Sequence, residues 1–270
     1  MSPTSTPGCS TPLCLFLTKG NLNLAVTANN YQGTFNFINL EPEFFSMSKL
    51  VLGTDEAGRG AVLGPLCIAA VVVEEEDEKK LEELGVDDSK KLSRKRRNEL
   101  ETGVKDIAED FAVVKISSKT IDREMPRKSL NLIEAERMAE LIDTLRPDVA
   151  IVDATEAKTE NVKKTLESLI NDDARENVEI VAENKADENY PVVSAASILA
   201  KVTRDNSVDA IGKELGEEVG NGYPSDPRTK EFLERVLEEK GEFPEEVRKS
   251  WVTVEDMLKD KKQGNLSDFC

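Results

Sequence analysis

Histidine is absent from this sequence, and its four cysteines, Cys9, Cys14, Cys67 and Cys270, include no Cys-x-x-Cys pair. A conventional zinc site, built from those two residue types, is thereby excluded. So few cysteines in 270 residues also exclude a disulfide framework and fit a reducing cytoplasm. Long apolar runs are missing too. The longest, Val62 to Val73, is interrupted by Gly64 and Pro65; it is too short to cross a bilayer and reads as a buried strand, so no membrane association is expected. Positive charge is in deficit: 36 Lys and Arg stand against 53 Asp and Glu, a net charge of −17. That balance disfavours a uniformly basic nucleic-acid-binding body, although a basic groove can sit on an acidic surface. We read the acidic excess as a solubilising surface suited to high salt.

Residues 1–46 hold one Lys, no Arg, no Asp and two Glu, yet six of the chain's aromatics. They are rich in Ser, Thr, Pro and Asn and lack lasting periodicity. The patch from Leu13 to Leu17 is too short, and has no basic flank, for a signal peptide. The text restarts at Met47 like a natural protein start. We expect 1–46 to be a poorly ordered extension, 47–215 to form the main domain, 216–260 to form a helical C-terminal part, and 261–270 to be a tail. The alternative for 1–46 is a small added strand or a binding arm.

Strand patterns run from Leu50 to Thr54, Leu66 to Val73, Phe111 to Ile116, Val149 to Val152 and Val178 to Ala182. Helical patterns run from the N-cap Ser93 to about Ile107, from about Leu130 to Leu145, through Val162 to Ile170, from Val192 to about Leu215, and onward from Ser225-Asp226-Pro227. The long helix carries a small-residue face, Ala195, Ala196 and Ala200, suited to close packing. Strands alternating with helices predict an α/β fold.

Three strand ends deliver acid. Asp55-Glu56 follows the first strand, Asp153 ends the fourth, and Asp187 follows the fifth. Carboxylates at the C-terminal edge of a sheet stand where open α/β sheets place sites. If they converge they repel one another unless a cation neutralises them, and oxygen ligands without histidine favour Mg²⁺ or Mn²⁺. With 53 acids in the chain, spacing alone supports a metal site no better than helix caps or solvated side chains.

The fuller strings are more specific. Gly53-Thr54-Asp55-Glu56-Ala57-Gly58-Arg59-Gly60 resembles the opening motif of the ribonuclease HII family. Val86-Asp87-Asp88-Ser89-Lys90-Lys91-Leu92-Ser93 resembles its second block. Asn184-Lys185-Ala186-Asp187, with Ser194 to Asp205, is similar to its third, and Gly222-Tyr223-Pro224 to its fourth. Order and spacing agree over roughly residues 49–255, in the style of the archaeal branch.

The resemblance implies an RNase H-like fold, a central mixed β-sheet flanked by helices, with the C-terminal part completing the substrate groove. It implies that Asp55, Glu56, Asp153 and Asp187 form a catalytic set holding two Mg²⁺ or Mn²⁺ ions. The implied reaction is hydrolysis of the RNA strand of RNA–DNA hybrids, and incision 5′ of ribonucleotides in duplex DNA, leaving 3′-hydroxyl and 5′-phosphate ends, as in ribonucleotide excision repair. Gly58, Arg59 and Gly60 would read the 2′-hydroxyl, Tyr223 would stack on a sugar, and Lys90, Lys91, Lys185, Lys201 and Arg204 would contact phosphates. Asp205 is expected to pair with Arg204 or a lysine. The run Arg94-Lys95-Arg96-Arg97 could supply the local positive field that the whole chain lacks. Asn184 departs from the family, whose members often carry His there.

In the tail, Gln263, Leu266 and Phe269 match the pattern that binds the sliding clamp PCNA, with Cys270 in place of the last aromatic. A monomer is expected. The alternatives are a ribonuclease HIII-like enzyme, for which 1–46 is too short and irregular an N-terminal domain, and a non-catalytic hybrid-binding or clamp-adaptor protein.

Overall fold

The computed structural model describes residues 48–86, 92–154 and 159–261, and the backbone alone of 17–18 and 262–267. Its sheet contains β1 (Leu17–Thr18), β2 (Leu50–Ala57), β3 (Leu66–Glu74), β4 (Asp110–Ile116), β5 (Val149–Asp153) and β6 (Glu179–Glu183), in the order β1-β4-β3-β2-β5-β6. Strands β2, β3 and β4 form an antiparallel meander, and β5 and β6 join parallel to β2. The fold is therefore the mixed α/β sheet that the sequence predicts. Of residues 1–46, Leu17–Thr18 pair antiparallel with Val113 and Ala112; the others lie outside the described residues.

The helices are α1 (Glu78–Leu84), α2 (Arg94–Ile107), α3 (Ser118–Glu124), α4 (Leu130–Leu145), α5 (Thr159–Leu169), α6 (Asp172–Asn177), α7 (Ala186–Asn189), α8 (Pro191–Leu215), α9 (Pro227–Lys240) and α10 (Val252–Ser267). Local chemistry sets several starts. Ser93 and Ser129 accept from the amides of Arg96 and Leu132, and Asp226 caps α9 before a proline at its first turn. No helix of the described residues is long and apolar enough to cross a membrane.

Two cores sandwich the sheet. On one face Val51, Val71 and Val113 meet the α8 residues Val192, Ala195, Ala196 and Leu199. On the other, Leu52, Ile68, Val114 and Val152 meet Ile133, Met138 and Ile142 of α4. Helix α8 comes so close that a side chain at Gly53 would overlap the Val192 backbone, which explains a glycine inside a central strand. A third core joins Val62, Leu63 and Val208 to Phe232, Leu233 and Val236 of α9, Phe243, and Val254 of α10.

Strand β2 runs three residues beyond the predicted Thr54, because Asp55, Glu56 and Ala57 stay paired with Ala69, Ile68 and Cys67. Strand β5 stops at Asp153, so β2 overhangs it and carries its two acids past the parallel ladder.

Candidate active site

Within β2 the adjacent carboxylates obey strand alternation and face opposite ways. Asp55, 6% exposed, turns toward α8, where Ser197 hydrogen-bonds it and Lys201 lies close enough to act on its charge. Lys201 Nζ in turn donates to Ser197 Oγ at 2.6 Å. Glu56, half-buried, turns toward the α4 side and lies near Glu134 and Arg59. Asp153 is within electrostatic reach of both. The two acids thus reach the same edge from either side of the sheet.

Burial first, then Asp153, pushes the Asp55 carboxyl up to about 6, against the opposing pull of Ser197 and Lys201. Burial, Asp55, Glu134 and Asp153 together hold Glu56 well above the usual carboxylate range, with Arg59 opposing. Burial is the largest cause at both carboxyls, and the neighbouring acids add to it against Lys201 and Arg59.

Asp187 sits in the short helix α7 and is 4% exposed. Its carbonyl accepts from Ser194 Oγ at the start of α8. The neighbouring Ala186 amide donates to Asp153 Oδ1 at 2.8 Å, which ties the ends of β5 and α7 together. Lys185, exposed at the β6–α7 turn, adopts φ 60°, uncommon for a non-glycine residue, and pairs with Glu188. Among the described residues no three His, Cys, Asp or Glu side chains already stand as a cage for a metal ion. Asp153 Oδ1 and Asp55 Oδ1 instead accept from the amides of Ala186 and Glu56.

Gly58 has φ +89°, and a Cβ there would lie 2.8 Å from the Pro65 carbonyl. Only glycine suits that turn. Arg59 is held by Glu134 and Asn131 of α4. Glu134, 4% exposed, is a buried acid that the sequence reading missed. Its position in α4, four residues before the core residue Met138, was the available signal. Burial pushes it up to about 7, with Arg59 opposing.

Arg204, 4% exposed, lies over the Tyr223 ring and donates to Asn221 O and to Asp205 Oδ1 at 3.1 Å. Asp205 also accepts from Arg97 at 2.8 Å, so it pairs with arginines. A cleft of about 510 Å³ runs beside these groups. Its wall carries Arg94, Arg97, Lys201, Arg204 and Arg228, together with Tyr223. It also contains Ala57, which links it to the acidic edge. The Arg94–Arg97 run contributes two cations to this wall, where Arg94 pairs with Asp209 and Arg97 with Asp205. Lys90, Lys91 and Phe269 lie outside the described residues, as do the side chains of Gln263 and Leu266; α10 carries the backbone through the latter two.

The fold places the chain among the RNase H-like proteins. A family model for ribonuclease HII matches residues 52–254. A ribonuclease HII of Thermococcus kodakarensis is 47% identical over 206 residues, covering 76% of this chain and 87% of that one. The chain belongs to the ribonuclease HII family. The crystal structure of ribonuclease H2 from Pyrococcus horikoshii superposes with a TM-score of 0.72 at 37% identity, covering 78% of this chain and 98% of that one. The ribonuclease HII of Archaeoglobus fulgidus, solved in complex with PCNA, gives 0.68 at 40%, covering 75% and 95%. A ribonuclease HIII solved with Mn²⁺ shares the fold at 0.66 with 23% identity, and this chain covers 71% of it.

Proposed function

We propose that this chain is an endoribonuclease dependent on a divalent cation. It hydrolyses the RNA strand of RNA–DNA hybrids and incises duplex DNA 5′ of an embedded ribonucleotide, leaving 3′-hydroxyl and 5′-phosphate ends. Family membership supports the substrate class. The observation that carries the mechanism is the sheet edge that brings the buried Asp55 and the half-buried Glu56 within electrostatic reach of Asp153.

Asp55, Glu56, Asp153 and Asp187 would hold the metal. The donor set fits a hard cation, because it is all oxygen. When bound, two Mg²⁺ or Mn²⁺ ions activate water and stabilise the leaving 3′-oxygen. The chain's own residues do the rest. Ser197 and Lys201 orient Asp55, and the Ala186 amide orients Asp153. The Gly58–Gly60 loop lets backbone amides approach a ribose closely enough to read its 2′-hydroxyl, the group that separates RNA from DNA. Tyr223, stacked on Arg204, offers a face to the adjoining sugar. Lys201, Arg94, Arg97 and Arg228 of the cleft, with the exposed Lys185, attract the phosphates.

The tail residues Gln263, Leu266 and Phe269 would dock on the sliding clamp, as the clamp-bound relative from Archaeoglobus fulgidus suggests. Phe269→Ala should abolish clamp pull-down, and unchanged binding would discard the assignment.

The nuclease reading is tested with a duplex holding one ribonucleotide and Mg²⁺. A single nick 5′ of the ribonucleotide is expected, lost in Asp153→Asn with the fold retained. No nick by the unaltered chain would leave only a hybrid-binding or clamp-adaptor role.

A further inference from the structure

Arg248 is the largest fully buried side chain of the described residues. Its guanidinium is directed at backbone carbonyls. Nε and Nη2 donate to Gly64 O at 3.2 and 3.0 Å, and Nη1 donates to Arg59 O at 3.0 Å. Trp251 covers it, with the guanidinium carbon 4.8 Å from a ring centroid. Burying a cation on neutral acceptors is costly, and apolar packing commonly replaces such a group without loss. A guanidinium, however, is a planar fork that fixes two acceptors relative to one another.

Those two acceptors bracket the loop that follows Gly58. The same segment is stitched in further: Arg248 N donates to Val62 O at 2.8 Å, Gly64 N to Glu246 O at 2.9 Å, and Val62 N to Gly222 O at 2.9 Å. The C-terminal segment is itself fastened to α3, where Asp122 accepts from the amides of Lys249 and Ser250 and from Ser250 Oγ.

We propose that Arg248 is a positioning residue for ribose selection: its fork sets the Arg59 and Gly64 carbonyls, and through them the height at which the Gly58–Gly60 amides meet the sugar. This rests on the ribose-reading role proposed above for that loop. The C-terminal part then does more than wall the groove, because it tensions the loop that tells ribose from deoxyribose.

The test is equilibrium binding by the full chain, with Ca²⁺ in place of Mg²⁺ to hold off turnover. The two probes are a DNA duplex with one ribonucleotide and the same duplex in all-DNA form. The unaltered chain should prefer the first. Arg248→Lys keeps the charge and loses the fork; its preference should fall about tenfold while all-DNA affinity stays the same. Asp122→Ala, which slackens the segment from outside, should lose preference roughly threefold. Unchanged preference in both variants overturns the proposal, as does an equal weakening toward both duplexes. Should Arg248→Lys fail to fold, unchanged preference in Asp122→Ala alone overturns it. If the unaltered chain binds both duplexes equally, the ribose-reading role of the loop fails, and the inference with it.

Discussion

The guanidinium of Arg204 lies over the ring of Tyr223, its central carbon 4.3 Å from the ring centroid. The same side chain passes close to the position a Cβ on Gly58 would take, with its Cγ 3.3 Å away. One buried arginine therefore touches both the loop after β2 and the turn that presents Tyr223. The sequence reading made it a phosphate contact, but its burial, its bonds to Asp205 and Asn221 and its ring contact favour a positioning role. Arg204→Lys should lower stability by about 2 kcal/mol and kcat/KM by about tenfold. Tyr223→Phe, which keeps the ring, should cost less. Denaturant titration and nicking kinetics check both.

Glu134 supplies a pH signature. Its carboxyl, ordinarily near 4.5, is pushed up to about 7 by burial. Between those values the folded chain retains a proton that the unfolded chain has released, so this group removes stability as pH rises from about 4.5 to 7. Glu134→Gln should flatten that part of the stability profile, measured in chelator. A profile parallel to that of the unaltered chain would contradict the assignment.

Burial of Asp55 predicts a trade between stability and activity. Asp55→Asn removes a charge that burial, and to a lesser degree Asp153, disfavours, against the pull of Ser197 and Lys201. In chelator at pH 7 it should raise the unfolding free energy by roughly 1–2 kcal/mol while abolishing nicking. A variant both inactive and less stable would show that Asp55 contributes chiefly to structure.

Much of this was legible in the sequence, and the exceptions have physical reasons. Helix α4 has the predicted bounds, and Ser93 caps α2 as expected, because apolar periodicity and capping are local signals. Helices α1, α3 and α6 escaped notice; α1 buries only Leu81 and α6 buries nothing, so neither leaves an amphipathic stripe. Strand β2 was cut short at Thr54 because acids depress strand propensity, which antiparallel pairing with β3 overrides. The four acids were singled out by their strand-end positions and motif strings, and Asp55 and Glu56 do stand at the end of β2 and Asp153 at that of β5. Glu134 and Arg248 were not singled out. An acid in a helix and an arginine in a loop ordinarily face solvent; the spacing of Glu134 from Met138 hinted at its burial, whereas only the tertiary fold reveals that of Arg248.

Asp55, Glu56, Asp153 and Asp187 are proposed to hold a divalent cation jointly at the end of the sheet. Anomalous diffraction from crystals soaked in Mn²⁺ tests it most directly. Density is expected at about 2 Å from carboxylate oxygens of these residues, lost in crystals of Asp153→Asn. Manganese bound only elsewhere, in crystals of a chain that still nicks a ribonucleotide-containing duplex, would contradict it.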